Sequence, residues 1–387
     1  MKLLIISYIA FISLGLPDGL LGVAWPGIRQ TFGLELDTLG LILIFFTAGY
    51  MFSSFFSGVF VRRFGIGVVL ALSCGVTSLA MFVFAFTSYW WIFILFAAVG
   101  GLGGGAIDAG INTFVAKNHS TRMMQWLHAS FGVGVTIGPI IMTLGISLTS
   151  RWQVGYIVVS LFQAFLAILF VYNKELWKKI SFKSKSENDI KNEASLVETI
   201  RRLPAILSML MFFIYTGIEV GIGLWAYSIL TESRGVSPQI AGFVTGSYWA
   251  MFTVGRIIAG LYSKNIEVKK LIFFSLFLAF VGVGFIIMNL GIKSSVLGFV
   301  LAGFAVAPIF PGLVSDTKKR VGLSHQANTI GMQTSAAGFG GAIIPSIAGI
   351  IAKYYGLEAI PIFIFSAIFF LLVIFVFSHF FANLKHN

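Results

Sequence analysis

The chain has 387 residues, of which 58% are hydrophobic and 10% charged, with a mean hydropathy of +0.95. So little charge cannot cover the surface of a soluble domain of this length, and so much apolar character excludes a disordered chain. The formal net charge of +12 does not point to nucleic acid, because the basic residues sit in short gaps between apolar runs.

Roughly 20 apolar residues cross a bilayer core as a helix. Twelve such runs follow one another, at 3–28, 38–61, 66–87, 90–116, 123–149, 152–172, 203–231, 238–261, 268–290, 295–316, 325–352 and 359–382. They are long and do not alternate with period two, which argues against a β-barrel. The expected fold is an all-α membrane protein with twelve transmembrane helices. The first run starts behind a basic residue, as in a signal peptide. It has no small-residue cleavage site and reads as a helix that stays in place. The single cysteine, Cys74 in the third run, reads as a small core residue.

The fourth run contains Gly100-Gly101-Leu102-Gly103-Gly104-Gly105. No Gly-Lys-Ser/Thr follows anywhere, so these glycines read as small residues that let helices approach, and no cofactor is expected. Pro139, Pro308, Pro311 and Pro345 predict kinks. The one long polar stretch, Asn173 to Arg202, divides six runs from six. The expected organisation is a half over 1–172, a linker over 173–202 that rests on anionic membrane lipids, and a half over 203–387.

Orientation follows from Lys and Arg in the gaps. Lys2, Arg62, Arg63, Lys117, Arg122, the linker's basic residues, Lys264, Lys269, Lys270, Lys318, Lys319, Arg320 and Lys385 fall on one side. Arg29, Arg151, Arg234, Lys293 and Lys353 fall on the other. Both termini are therefore expected on the cytoplasmic face of an inner membrane.

The halves repeat. Gly40 and Gly58 recur as Gly242 and Gly260 at one offset, Arg62 falls on Lys264, and Gly134 and Pro139 recur as Gly340 and Pro345. Asp18 on the first run has its counterpart in Glu219 on the seventh. Together with Asp108 on the fourth, these are the acids deep within the runs. An Asp at a helix centre costs roughly 2.5–3.5 kcal/mol on insertion scales, so such residues face a cavity or a partner. Depth disfavours the anion, which makes Asp18 and Asp108 candidate proton carriers. The structural alternative is a protonated carboxyl bridging two helices. Arg256 and Asp316, near the ends of the eighth and tenth runs, are candidates for a gating or packing ion pair; otherwise Asp316 joins a polar loop starting at Thr317.

Helical spacing places Asp18, Gly22 and Trp25 on one face, Asp108 with Asn112, Gln125 with His128, and Tyr215 with Glu219 and Gly223. Glu219, Asn112, Gln125, His128, Tyr215 and Gln333 are candidate substrate ligands through their hydrogen-bonding groups. Trp25, Trp225 and Trp249 are candidate stacking surfaces for a pyranose ring, although single aromatics more often serve as packing or interface residues. Gly223 leaves room for a ligand beside Glu219. His128 has no histidine or cysteine partner at ligand spacing, so no metal site is expected.

Parallel six-helix repeats resemble the architecture of major facilitator transporters: two halves related by a pseudo-two-fold axis, with the first, fourth, seventh and tenth helices lining a central cavity. The loop Gly58-Val59-Phe60-Val61-Arg62-Arg63-Phe64-Gly65 resembles that superfamily's signature, with Val61 where the pattern has Asp. Arg62 and Arg63 would be its gating charges. Gly217-Ile218-Glu219, Gly255-Arg256-Ile257-Ile258-Ala259-Gly260, Ile309-Phe310-Pro311, Gly338-Phe339-Gly340-Gly341-Ala342 and Leu127-His128-Ala129-Ser130-Phe131-Gly132-Val133-Gly134 resemble the fucose/glucose:proton symporter family. That resemblance implies a monosaccharide carried with a proton, with acids at Asp18 and Asp108; a functional monomer is expected. The alternative is proton-coupled efflux of a hydrophobic or cationic compound.

Overall fold

A computed structural model describes residues 2–118, 121–178, 194–262 and 267–384. Lys183, Lys264, Lys385 and residues 179–193 of the expected linker over 173–202 lie outside the described residues, as do the side chains of Arg62 and Gln125. Every regular element among the described residues is a helix. Within hydrocarbon each backbone N–H and C=O must be bonded inside its own segment, and a helix does this without a neighbour.

In chain order the helices are α1 (Lys2–Phe32), α2 (Leu39–Phe64), α3 (Ile66–Phe86), α4 (Trp90–Asn118), α5 (Thr121–Thr149), α6 (Gln153–Tyr172) and the short α7 (Lys174–Lys178) and α8 (Leu196–Ile200). Then come α9 (Leu203–Ser228), α10 (Pro238–Tyr262), α11 (Val268–Met288), α12 (Ile292–Val306), α13 (Ile309–Val321), α14 (Leu323–Tyr355) and α15 (Ala359–Leu384). Counting α12 and α13 together, 11 segments among the described residues are long and apolar enough to cross a membrane. The twelfth, α10, has the length at 25 residues but is less apolar, because it carries Arg256 and a run of hydroxyl, amide and indole groups.

The tenth run is not one helix. It breaks at Ala307 and Pro308, where the proline has no N–H and crowds the preceding turn. At this break the Tyr215 hydroxyl donates to the Val306 carbonyl at 2.9 Å. Pro139 and Pro345 lie inside continuous helices instead, and Pro311 falls in the first turn of α13, where a missing N–H is cheap. The expected loop from Thr317 is also helical. α13 runs on to Val321 and stops at Gly322, whose φ of +86° suits glycine.

The chain divides into two compact units, Met1–Phe182 with Gly223–Thr253, and Lys183–Ile222 with Val254–Asn387. In the first unit, small residues set the helix spacing. A Cβ on Gly134 would lie 2.9 Å from the Ile12 carbonyl carbon, and one on Gly138 2.9 Å from the Gly19 Cα, so α1 and α5 touch backbone to backbone. The glycine run of α4 serves both of its neighbours. Gly101 abuts the Tyr50 amide of α2 (2.8 Å to Phe46 carbonyl carbon, 2.9 Å to Tyr50 N), and Gly103 abuts the Ser73 carbonyl of α3 (2.7 Å). Cys74 is fully buried in α3, in the apolar cluster that also holds Phe11, Leu70, Ile107, Phe170 and Trp177. Val61 packs into the same cluster, so an apolar side chain occupies the position where the signature has an acid. The stretch Gly223–Thr253 closes on α1 and α5: Gly22 meets the Leu224 carbonyl, and Gly242 meets Thr143.

In the second unit, Gly340 of α14 abuts the Phe213 backbone of α9, and Gly217 of α9 abuts Ile344 of α14. At one end of α13 a buried ion pair joins Arg320 and Asp316, Nε to Oδ2 3.2 Å, with 2% and 7% of the side chains exposed. Arg320 also donates to Ser208 Oγ (2.9 Å) and the Leu313 carbonyl (2.6 Å).

Candidate functional site

The acids of the first unit come from two helices. Asp18 lies near the middle of α1 and is exposed, an unusual state for a carboxylate so far from either helix end. Asp108 of α4 is half-buried and held by two donors. Asn112, one turn along, donates from Nδ2 to Oδ1 at 2.7 Å, and the Tyr50 hydroxyl of α2 donates to Oδ2. The Tyr50 ring stacks on Phe46 with 6.4 Å between centroids. Asp18 is near enough to act electrostatically on the Tyr50 hydroxyl. The Tyr50 phenol, the Asp108 carboxylate and the Asn112 amide, from two helices, therefore form one hydrogen-bonded group. The sequence put Asp108 and Asn112 on one face but gave Tyr50 no role; its only signal was its setting, with Gly49, Ser53 and Ser54 around it, opposite the glycine run of α4.

In the second unit the acid is Glu219 of α9. Its Oε1 lies 3.8 Å from Arg256 Nη2 of α10, with 12% and 20% of the side chains exposed. The Tyr215 hydroxyl is also within hydrogen-bonding reach of this carboxylate. Arg256 thus pairs with Glu219, and Asp316 pairs with Arg320.

The aromatic candidates and Gln333 are buried. Trp25 and Trp225 are fully buried and Trp249 is 7% exposed, so their rings fill packing space and offer no open stacking surface here. The space beside Gly223 is taken by the Trp249 ring, which a Cβ on Gly223 would meet at 2.6 Å. Gln333 is fully buried on α14, where it accepts from the Thr317 hydroxyl (3.2 Å) and donates back to it (3.0 Å), a clamp between α13 and α14. Tyr215 is fully buried at the Pro308 break. His128 is exposed on α5, its ring edge-on to Phe11 at 5.8 Å. Arg63 is exposed at the end of α2, 5.4 Å over the Phe64 ring. A groove of about 610 Å³ in the second unit lies between α9 and α14. It is walled by Met209, Phe213, Met332 and Phe339, with Asn328 and Ser335 as its polar groups, and none of the candidates from the sequence lines it.

The Major Facilitator Superfamily family model matches residues 7–229 and again 207–387. The chain belongs to the major facilitator superfamily. Its relatives include the glucose/mannose transporter GlcP of Bacillus subtilis, 24% identical over 365 residues that cover 89% of this chain and 86% of GlcP. They also include the class B tetracycline resistance protein of Escherichia coli, 25% identical over 348 residues that cover 86% and 81%. The crystal structure of the E. coli fucose:proton symporter FucP superposes with a TM-score of 0.67 at 14% identity, covering 98% of both chains. At that identity the likeness is one of fold. This major facilitator protein is a membrane transporter and not an enzyme, and sugar transporters are among its relatives.

Proposed function

We propose that this protein carries a monosaccharide together with a proton across the cytoplasmic membrane by alternating access, with Asp18 and Asp108 as the proton-coupling acids. The observation that supports the reading is a pair of mid-helix acids, the exposed Asp18 of α1 and Asp108 of α4 held by Tyr50 and Asn112. An acid kept at that depth needs a reason, and a bound proton lets a loaded carrier reorient without an uncompensated charge. In this reading Glu219 and Arg256 serve as an acceptor and a donor for sugar hydroxyls. Glucose-transporting relatives support the sugar, and the fucose:proton symporter supports the coupled ion. The repeated halves 1–172 and 203–387 and the cytoplasmic placement of both termini belong to the same reading.

The tetracycline resistance relative favours a second reading, proton-coupled export of a hydrophobic or cationic compound. Proteoliposome transport separates the two. D-glucose, D-mannose, D-galactose, L-fucose and tetracycline are tested with and without an imposed pH gradient. The proposal expects gradient-driven accumulation of a sugar, lost in Asp18→Asn and in Asp108→Asn. Accumulation of tetracycline alone, or sugar accumulation undiminished in both variants, overturns it.

A further inference from the structure

The groove between α9 and α14 is held in shape at both ends. At one end the two helices touch. A Cβ on Gly340 would lie 2.6 Å from the Phe213 carbonyl carbon, and one on Gly217 2.8 Å from Ile344 Cγ1. These pairings advance together along both helices, so α9 and α14 run parallel. Towards their N-terminal ends, Met209 and Asn328 line open space. There α8, which leads directly into α9, is fastened to α14. Ala194 N donates to the Ser324 carbonyl at 3.0 Å, and Thr199 Oγ1 lies 2.9 Å from His325 Nδ1. The Asn328 amide donates to the Ala194 carbonyl at 2.7 Å and to Thr199 Oγ1 at 3.4 Å. The groove therefore follows α14 from Asn328 to Ile343, roughly 22 Å at about 1.5 Å per residue.

Its chemistry selects what fits. The volume of about 610 Å³ lies within the range of small-molecule sites, about 300–1,000 Å³. Asn328 and Ser335 are its polar side chains, and none of the described residues that line it is charged. Both amide hydrogens of Asn328 are engaged by α8, and the Ser335 hydroxyl donates to the Gly331 carbonyl at 3.2 Å. What these two side chains still offer is acceptors: Asn328 Oδ1 and the Ser335 oxygen. A monosaccharide here would leave most of its hydroxyls without partners, and an ionic head would lie without a counter-charge. Flexible thioethers at Met209 and Met332, with the Phe213 and Phe339 rings, suit an apolar chain. We infer that this groove binds a neutral long-chain amphiphile. The chain lies along α14, and its hydroxyl head donates to the acceptors of Asn328 and Ser335. The site is separate from Asp18, Asp108 and Glu219, and it stands whether or not the transported solute is a sugar.

The test is photolabelling of the full-length protein in phosphatidylcholine nanodiscs, whose headgroups carry no hydrogen-bond donor. The probes are a long-chain alcohol with a benzophenone at its chain end and the methyl ether of the same alcohol. Mass spectrometry of the digested protein compares peptides of α9 and α14 with the α2 peptide around Phe55, which is 82% exposed and reports simple partitioning. The alcohol should label the α9 and α14 peptides saturably. The ether should need about fivefold more for half-saturation, as expected for losing one neutral hydrogen bond. Ala336→Trp fills the groove and should cut this labelling about tenfold while leaving the Phe55 peptide as it was. Labelling no more saturable than at Phe55, equal half-saturation by alcohol and ether, or undiminished labelling in Ala336→Trp overturns the site. If Ala336→Trp does not fold, the comparison of alcohol with ether in the wild type decides alone. Protection by D-glucose would place the groove on a sugar path, and complete displacement by phosphatidylglycerol would make it a site for ionic lipid; either overturns the assignment to a neutral amphiphile.

Discussion

Arg29, in the last turn of α1, forms an ion pair with Glu232, in the widened last turn that follows α9. About a quarter of each side chain is exposed (25% and 26%), so water screens the pair and its coupling should be modest, roughly 0.2–1 kcal/mol. A double-mutant cycle of Arg29→Gln and Glu232→Gln, read by thermal unfolding in detergent, should return that coupling. The swapped pair Arg29→Glu with Glu232→Arg should recover most of it. Strictly additive single variants would show that the contact contributes nothing.

Arg320 and Asp316 contrast with that pair because both are buried. Removing one partner leaves a charge without its counterion in a site closed to water, at a cost of about 3–5 kcal/mol. Asp316→Ala should therefore lower the melting temperature far more than either change at the Arg29–Glu232 pair. The double replacement Asp316→Leu with Arg320→Met should be much milder. A double variant as unstable as the single would mean that the Ser208 and Leu313 contacts, and not the charge pair, matter most.

Glycine positions offer a sharper contrast. Gly49→Ala drives a methyl into the backbone of α4 and should destabilise by about 1–3 kcal/mol, as overpacking does. At Gly284 of α11 a methyl would meet nothing within 4 Å, so Gly284→Ala should gain roughly 0.5–1 kcal/mol from helix propensity alone. Melting temperatures of the two purified variants check this, and a shift of the same sign in both would contradict the backbone contact of α2 with α4.

Glu219 faces Arg256, and a hydrogen bond to a charged group is worth roughly 1.5–3 kcal/mol. If Glu219 ligates the sugar, Glu219→Gln should weaken binding about tenfold to a hundredfold while leaving the pH dependence of the remaining flux intact. Sugar titration at two pH values reads both quantities. Preserved affinity with a flattened pH response would move the coupled proton to Glu219.

The twelve apolar runs could be read from the chain because the length of an uninterrupted run is itself the physical requirement for crossing hydrocarbon. The break at Pro308 was visible as a proline, but the Tyr215 hydroxyl that meets it is not encoded near it. Helical spacing correctly placed Asp108 beside Asn112. It could not tell that Trp25 shares a face with Asp18 yet ends fully buried, because periodicity says which residues align and not what packs against them. Gln333 looked like a polar group seeking a ligand, and Thr317 answers it from a helix the sequence had ended too early. Tyr50 was hidden among aromatics of a helix rich in phenylalanine, and only the glycine contact between α2 and α4 makes it chemical.

Val61 has a consequence for how this molecule responds to its solution. Where an acid is expected at the end of α2 there is an apolar side chain, and apolar packing does not weaken when ions are added. The Arg29–Glu232 pair does weaken, since the screening length shrinks from about 8 Å at physiological ionic strength to about 3 Å at 1 M. Added potassium chloride thus loosens the contact at the far end of α1 and does not weaken the apolar packing of Val61. Ionic strength is therefore a way to loosen the Arg29–Glu232 contact by titration without altering a residue.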